Sequence, residues 1–139
     1  MGRTMLSAVL LAGLMAGQGG CASAAETTQG AAAKKAPDLS YEGIETHMLQ
    51  DDLVEFRLAI GGGADAAALN AYADCAVAQY AQIRGFGYAR PVRVLLDRSG
   101  RMLRGNAAYL LSRDRPEGRR VIAAEPTLSA CRAGRIPTV

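Results

Sequence analysis

Apolar and polar positions alternate along two neighbouring stretches of the chain, residues 44–48 and residues 54–60. A period of two places every second side chain on the same face of a β-strand. The short polar segment Gln50-Asp51-Asp52 separates the two stretches and has the composition of a turn. The pattern therefore predicts a first β-hairpin.

A helical period replaces the alternation after the run Gly61-Gly62-Gly63, which we interpret as a flexible connection. Apolar side chains then recur at spacings of three and four: Leu69, Tyr72, Ala76, Tyr80 and Ile83. This spacing predicts a helix of about 20 residues with one core-facing stripe. Asp65 suits the N-cap, and Gly85 followed by Phe86 suits a Schellman-type end.

A second hairpin follows the helix, with Val92, Val94 and Leu96 on its first strand. The segment Asp97-Arg98-Ser99-Gly100 favours a type I turn. The return strand is expected over residues 101–112.

The last part of the chain predicts a fifth strand over residues 119–124 and one helical turn that carries Cys131. Thr127 would cap this turn and Gly134 would close it. The expected fold class is α+β, with an antiparallel sheet of four to five strands and one long helix packed on one face.

The N-terminal region has the layout of a secretory signal peptide, residues 1–24. Arg3 precedes an uncharged apolar run over residues 5–16, which is shorter than the roughly 20 residues of a spanning helix. Cleavage after Ala22-Ser23-Ala24 would give a periplasmic or secreted protein, whereas lipidation of Cys21 would anchor it to a bacterial membrane. Residues 25–38 would form a flexible tether and residues 39–139 a single small domain.

Removal or acylation of Cys21 leaves two cysteines, Cys75 and Cys131. An even pair in an oxidising compartment predicts a disulfide between them. Two buried free thiols are the alternative.

Charge is distributed unevenly along the chain. Residues 25–83 carry nine acidic and three basic side chains, and residues 84–139 carry twelve basic and four acidic ones. One hypothesis is an anion-binding surface on the second hairpin, formed by Arg90, Arg93, Arg101 and Arg104. The alternative is that acidic and basic strands neutralise each other within one sheet.

No residue pattern indicates catalysis, a metal ion or a cofactor. His47 is the only histidine and is expected on an exposed strand face, so a metal site that needs two histidines is excluded. The triple glycine lacks the Lys-Ser or Lys-Thr of a phosphate loop. The acidic pairs Asp51-Asp52 and Glu42 with Glu45 are expected to be solvated. Nucleic acid is disfavoured because no aromatic side chains are interleaved with the basic ones.

The first hairpin and the helix that ends in Ile83-Arg84-Gly85-Phe86-Gly87-Tyr88 resemble small exported proteins and lipoproteins of alphaproteobacteria. The resemblance covers residues 40–112. Gln18 departs from the leucine usual in lipoprotein signals. Those proteins have no established activity, so the resemblance implies a location and an architecture only.

These observations predict an exported envelope protein with a non-catalytic binding or structural role and an unknown envelope component as partner. An anion-binding module that uses the second hairpin is one alternative. A small hydrolase without a recognisable motif is another, with a pocket formed by Tyr72, Tyr80 or Tyr109.

Overall fold

The computed structural model describes residues 38–139. The predicted signal peptide, Cys21 and most of the predicted tether lie outside these residues. The described elements in chain order are β1 (Ser40–Met48), β2 (Leu53–Gly61), α1 (Ala66–Ile83), β3 (Tyr88–Ser99), β4 (Met102–Ser112), β5 (Ile122–Ala123) and α2 (Ala124–Ala133). The α+β class expected from the sequence is confirmed.

The five strands form one antiparallel sheet in the order β1-β2-β4-β3-β5. Both predicted hairpins are present, but the predicted position of the second turn, residues 97–100, was wrong. The β3–β4 ladder continues to the pair Ser99 and Met102, so Gly100 and Arg101 alone connect the strands. Gly100 has φ +58°, a left-handed conformation that glycine adopts without steric cost.

Helix α1 begins and ends as the sequence predicts. The Asp65 carboxylate accepts a hydrogen bond from the Ala68 amide at 2.8 Å. At the other end the Phe86 amide donates to the Ala81 carbonyl at 2.8 Å, and Gly85 has φ +77°. This is the Schellman geometry. Ile83 is a correction to the predicted stripe: it is exposed because the end of the helix and the residues that follow it, 82–85, lie in solvent.

One face of the sheet packs against α1 and forms the core. Alternate side chains of β2 are buried there, among them Val54, Phe56 and Ile60. Gly105 of β4 lies beneath Leu69 of α1, and a Cβ atom at this position would overlap the leucine side chain. The glycine therefore allows the helix to approach the sheet closely.

The C-terminal elements differ from the prediction in extent. Strand β5 has only two residues, and α2 begins at Ala124 rather than at Thr127, which lies inside the helix. The Ala124 amide donates to the Gly87 carbonyl at 2.9 Å, so the chain passes directly from the sheet into the helix. Pro126 is compatible with this start because the first helical turn needs no amide donor. Gly134 closes the helix as predicted.

A disulfide joins Cys75 of α1 to Cys131 of α2, as the cysteine pattern predicts. Both cysteines are buried. Neither of these two helices combines the length and the apolar character that crossing a membrane requires.

Candidate functional site

The sheet face opposite α1, here called the open face, carries a groove of about 620 Å³. Strands β1 and β3 both line this groove although β2 and β4 lie between them. The open face is therefore concave at this end of the sheet. Seven of the lining residues lie on the open face by their strand register: Glu45, Arg57, Ala59, Leu95, Asp97, Arg104 and Asn106.

An irregularity in β1 forms one rim of the groove. The register with β2 shifts between Tyr41 and Ile44, and Gly43 within the shift has φ +109°. The hydroxyl of Tyr72, on α1, forms a hydrogen bond with the backbone of Gly43. Burial raises the pKa of Tyr72, so the phenol stays protonated at neutral pH. Helix α1 thus fixes the shape of this rim from the core side.

A buried carboxylate, that of Glu55, lies on the open face beside the groove and links β2 to β3 across β4. Glu55 accepts hydrogen bonds from Arg57 Nε at 3.1 Å and from Arg93 Nη2 at 3.3 Å. Its side chain is only 8% exposed, while those of the two arginines are more than half exposed. Glu55 of β2 thus partly neutralises the basic β3 within one sheet.

Arg104 and Asn106 lie next to each other on the open-face side of β4 and both line the groove. Within residues 38–139 Arg104 forms no hydrogen bond or ion pair with another side chain. The Asn106 side-chain oxygen is buried and has no hydrogen-bond partner there. Because buried polar atoms in folded proteins nearly always have a partner, this oxygen marks a place where a ligand or water would bind.

The four arginines predicted as an anion-binding surface do not share one site in the structure. Arg90 lies opposite Leu110, away from the groove, and Arg93 is bound to Glu55. Arg101 donates from Nη2 to the Gly62 carbonyl at 2.9 Å and so holds the glycine loop. Of the four, only Arg104 lines the groove.

Of the other candidate side chains, Glu42 and Glu45 line the groove, whereas the rest lie outside it. His47 is on the open face with Nε2 3.5 Å from a Glu45 carboxylate oxygen, and Asp51 and Asp52 are exposed in the β1–β2 turn. The part of the chain that the structure describes contains no group of three or more His, Cys, Asp or Glu side chains placed to hold a metal ion.

The tyrosines that suggested a hydrolase pocket pack in the core. Tyr72 and Tyr109 are buried, and the Tyr109 hydroxyl donates to an Asp74 carboxylate oxygen at 3.0 Å. The other oxygen of Asp74 accepts from Arg120 Nη2 at 2.6 Å. Burial, followed by the Asp74 charge, raises the pKa of Tyr109 far above its ordinary value. This cluster ties α1 to β4 and to the segment before β5.

Sequence reasoning missed Arg57, Asp97 and Asn106 as members of a site. They are far apart in the sequence, and only the strand register brings them to the same groove. The available signal was their position on the polar side of each alternating strand.

Comparison with known proteins identifies the domain. The model of the YNQ4 C-terminal domain family matches residues 41–135, which run from β1 through α2. The chain is 42% identical over 88 residues to an uncharacterized 26.9 kDa protein in the nqo8 5' region of Paracoccus denitrificans. The match covers 63% of this chain and 34% of that protein, so the chain spans about a third of its length.

No solved structure matches the chain. The resemblance to alphaproteobacterial proteins without an established activity is confirmed by the relative in Paracoccus. Because the family model matches well over half of its residues, the chain belongs to the YNQ4 C-terminal domain family.

Proposed function

We propose that this chain is an exported, non-catalytic binding protein of the bacterial envelope, and that its groove holds a small ligand with an acidic group and an apolar part. The observation that carries the proposal is that Arg104 lines the groove next to Asn106, whose buried Oδ1 has no hydrogen-bond partner within residues 38–139. A guanidinium in a partly enclosed site recognises a carboxylate or phosphate through paired hydrogen bonds.

The rest of the groove supports a ligand of mixed character. Its volume of about 620 Å³ lies within the usual range of small-molecule sites. Ala59 and Leu95 offer apolar contacts, whereas Glu42, Glu45 and Asp97 add negative charge to the lining. These three acids disfavour a densely charged anionic polymer and favour a ligand that also carries hydrogen-bond donors.

The chemistry of the lining favours binding over catalysis. The groove residues that the structure describes include no serine, cysteine, histidine or tyrosine. Hydroxyl, thiol and imidazole nucleophiles are therefore missing from its surface.

We expect N-acetyl-leucine to bind in the groove more tightly than N-acetyl-leucinamide, since the two differ only in the carboxylate that Arg104 would contact. A hydrogen bond to a charged group contributes about 1.5–3 kcal/mol, so Arg104→Ala should weaken binding of the acid about tenfold or more. Chemical-shift titration by NMR measures both affinities and shows whether the backbone amides of Ala59 and Asn106 respond.

Arg90→Ala is the matched control, because it removes the same charge from an exposed position of β3 outside the groove. It should leave the affinity unchanged. Equal loss in both variants would favour a diffuse basic surface over the groove. Shifts that avoid the groove, or equal affinity for the two probes, would refute the proposal.

Export is supported by the disulfide between Cys75 and Cys131, because such bonds persist in oxidising compartments and are rare in the cytosol. The apolar run over residues 5–16 after Arg3 is consistent with the same destination.

The intact mass of protein isolated from its native envelope fraction tests this part of the proposal. We expect a chain that begins near Ala25, or one that begins at Cys21 and carries added acyl mass. The first result would make the protein soluble in the periplasm or medium, and the second would tether it to a membrane. A mass that retains residues 1–24 would contradict export by either route.

A further inference from the structure

Strand β3 has an open outer edge along most of its length. On one side it pairs with β4 from Tyr88 to Ser99, but on the other side only Tyr88 and Ala89 pair, with β5. Within residues 38–139 no strand lies beside the outer edge of residues 90–99. Such an edge presents unpaired backbone N–H and C=O groups to any strand that approaches it.

The side chains along this edge are unusually apolar for a strand in solvent. Val92, Leu95 and Leu96 are 59%, 54% and 41% exposed. Proteins commonly protect an edge with a proline or a bulge, and β3 has both, but only at one end, in Pro91 and the register shift between Pro91 and Arg93. The regular segment from Arg93 to Ser99 carries no such protection.

We propose that this edge pairs with the same edge of a second copy of this chain, antiparallel and centred on Leu95. In this register Leu95 faces Leu95 of the second copy, and Val94 faces Leu96. Arg93 faces Asp97 at both ends of the contact. The segment from Arg93 to Asp97 is therefore complementary to itself in both charge and apolar character.

The state of Asp97 and Arg93 within one copy of the chain supports this register. Asp97 forms no ion pair within residues 38–139, and Arg93 is more than half exposed although it contacts Glu55. Opposite charges placed across an antiparallel pair stabilise it, whereas like charges destabilise it. The pairing is also closed, because each copy uses the same edge and leaves no second free β3 edge.

This inference goes beyond the proposed function and stands without it. Leu95 and Asp97 belong both to this edge and to the groove lining, whereas Arg104 lines the groove only. Arg104→Ala should therefore weaken ligand binding and leave the dimer unchanged, which distinguishes loss of binding from loss of pairing.

Sedimentation velocity of the processed chain, with its disulfide intact, should show a monomer–dimer equilibrium that depends on concentration. Asp97→Arg places like charges opposite each other at two equivalent positions and should weaken the dimer about tenfold or more. Asp51→Arg makes the same change of charge in the β1–β2 turn and should leave the equilibrium unchanged.

A cross-linking experiment tests the register independently, because Asp97→Arg also brings an added charge close to Arg104. Residues directly opposite in an antiparallel pair have Cα atoms about 4.5–5.5 Å apart, within the range of a disulfide. Leu95→Cys should therefore form a covalent dimer under mild oxidation. Val92→Cys is equally exposed, but the two copies of residue 92 would lie roughly 20 Å apart and should not cross-link.

Three results would overturn the proposal. The first is a chain that stays monomeric up to millimolar concentration, and the second is equal cross-linking of Leu95→Cys and Val92→Cys. The third is growth beyond the dimer, which pairing of β3 with the free edge of β1 would produce.

Discussion

Reduction of the bridge between Cys75 and Cys131 is expected to lower the free energy of unfolding by about 4 kcal/mol. The two cysteines are 56 residues apart in the sequence, so the bond closes a long loop in the unfolded chain. Loss of this constraint increases the conformational entropy of the unfolded state. Since a domain of this size is stable by roughly 5–15 kcal/mol in total, the change should be easily measured by urea denaturation with and without dithiothreitol.

The effect should be largest locally at α2. This helix has ten residues and buries only Ala124, Leu128 and Cys131. After reduction, its amides should exchange with solvent faster than those of α1, which is held by many more buried side chains.

The double variant Cys75→Ala/Cys131→Ala is the control for effects of the reductant itself, because it contains no disulfide to reduce. It should unfold at the same low urea concentration with and without dithiothreitol. If the oxidised and reduced wild-type proteins unfold at the same concentration, the bridge does not stabilise the domain.

The sequence predicts the local elements well where one physical signal dominates. Alternation interrupted by polar turn segments predicts both hairpins, and the helix ends follow from Asp65 and Gly85. The prediction fails at β5 and α2, where the chain passes from strand to helix at Ala123 without a polar cap. The boundary between β5 and α2 is set by contacts with Gly87 and Tyr88, two residues that lie far from it in the sequence.

The groove could not be predicted from the sequence, because it depends on register and curvature. Arg90, Arg93, Arg101 and Arg104 are close in sequence, yet they serve different parts of the molecule. The residues that line the groove together with Arg104 come from three other strands. Strand register turns these distant positions into neighbours, and a single sequence does not specify which strands pair.

Gly62→Ala is expected to lower the free energy of unfolding by about 2–5 kcal/mol, because Gly62 lies in a packed loop with a defined backbone conformation. Gly62 has φ +82°, where an alanine is strained by about 1–2 kcal/mol. A Cβ atom there would also overlap the backbone carbonyl of Asp38, just before β1. Asp38 is held in place, since Leu39 packs against the core and Ser40 pairs with Gly61.

Gly85→Ala separates the two contributions. Gly85 has a similar φ of +77°, but a Cβ atom there meets nothing within 4 Å, so only the backbone strain of about 1–2 kcal/mol should appear. Urea denaturation of both variants measures the difference, which is the cost of the overlap with Asp38. Equal losses in the two variants would mean that Asp38 moves aside freely. The triple glycine would then be the flexible connection that the sequence suggests.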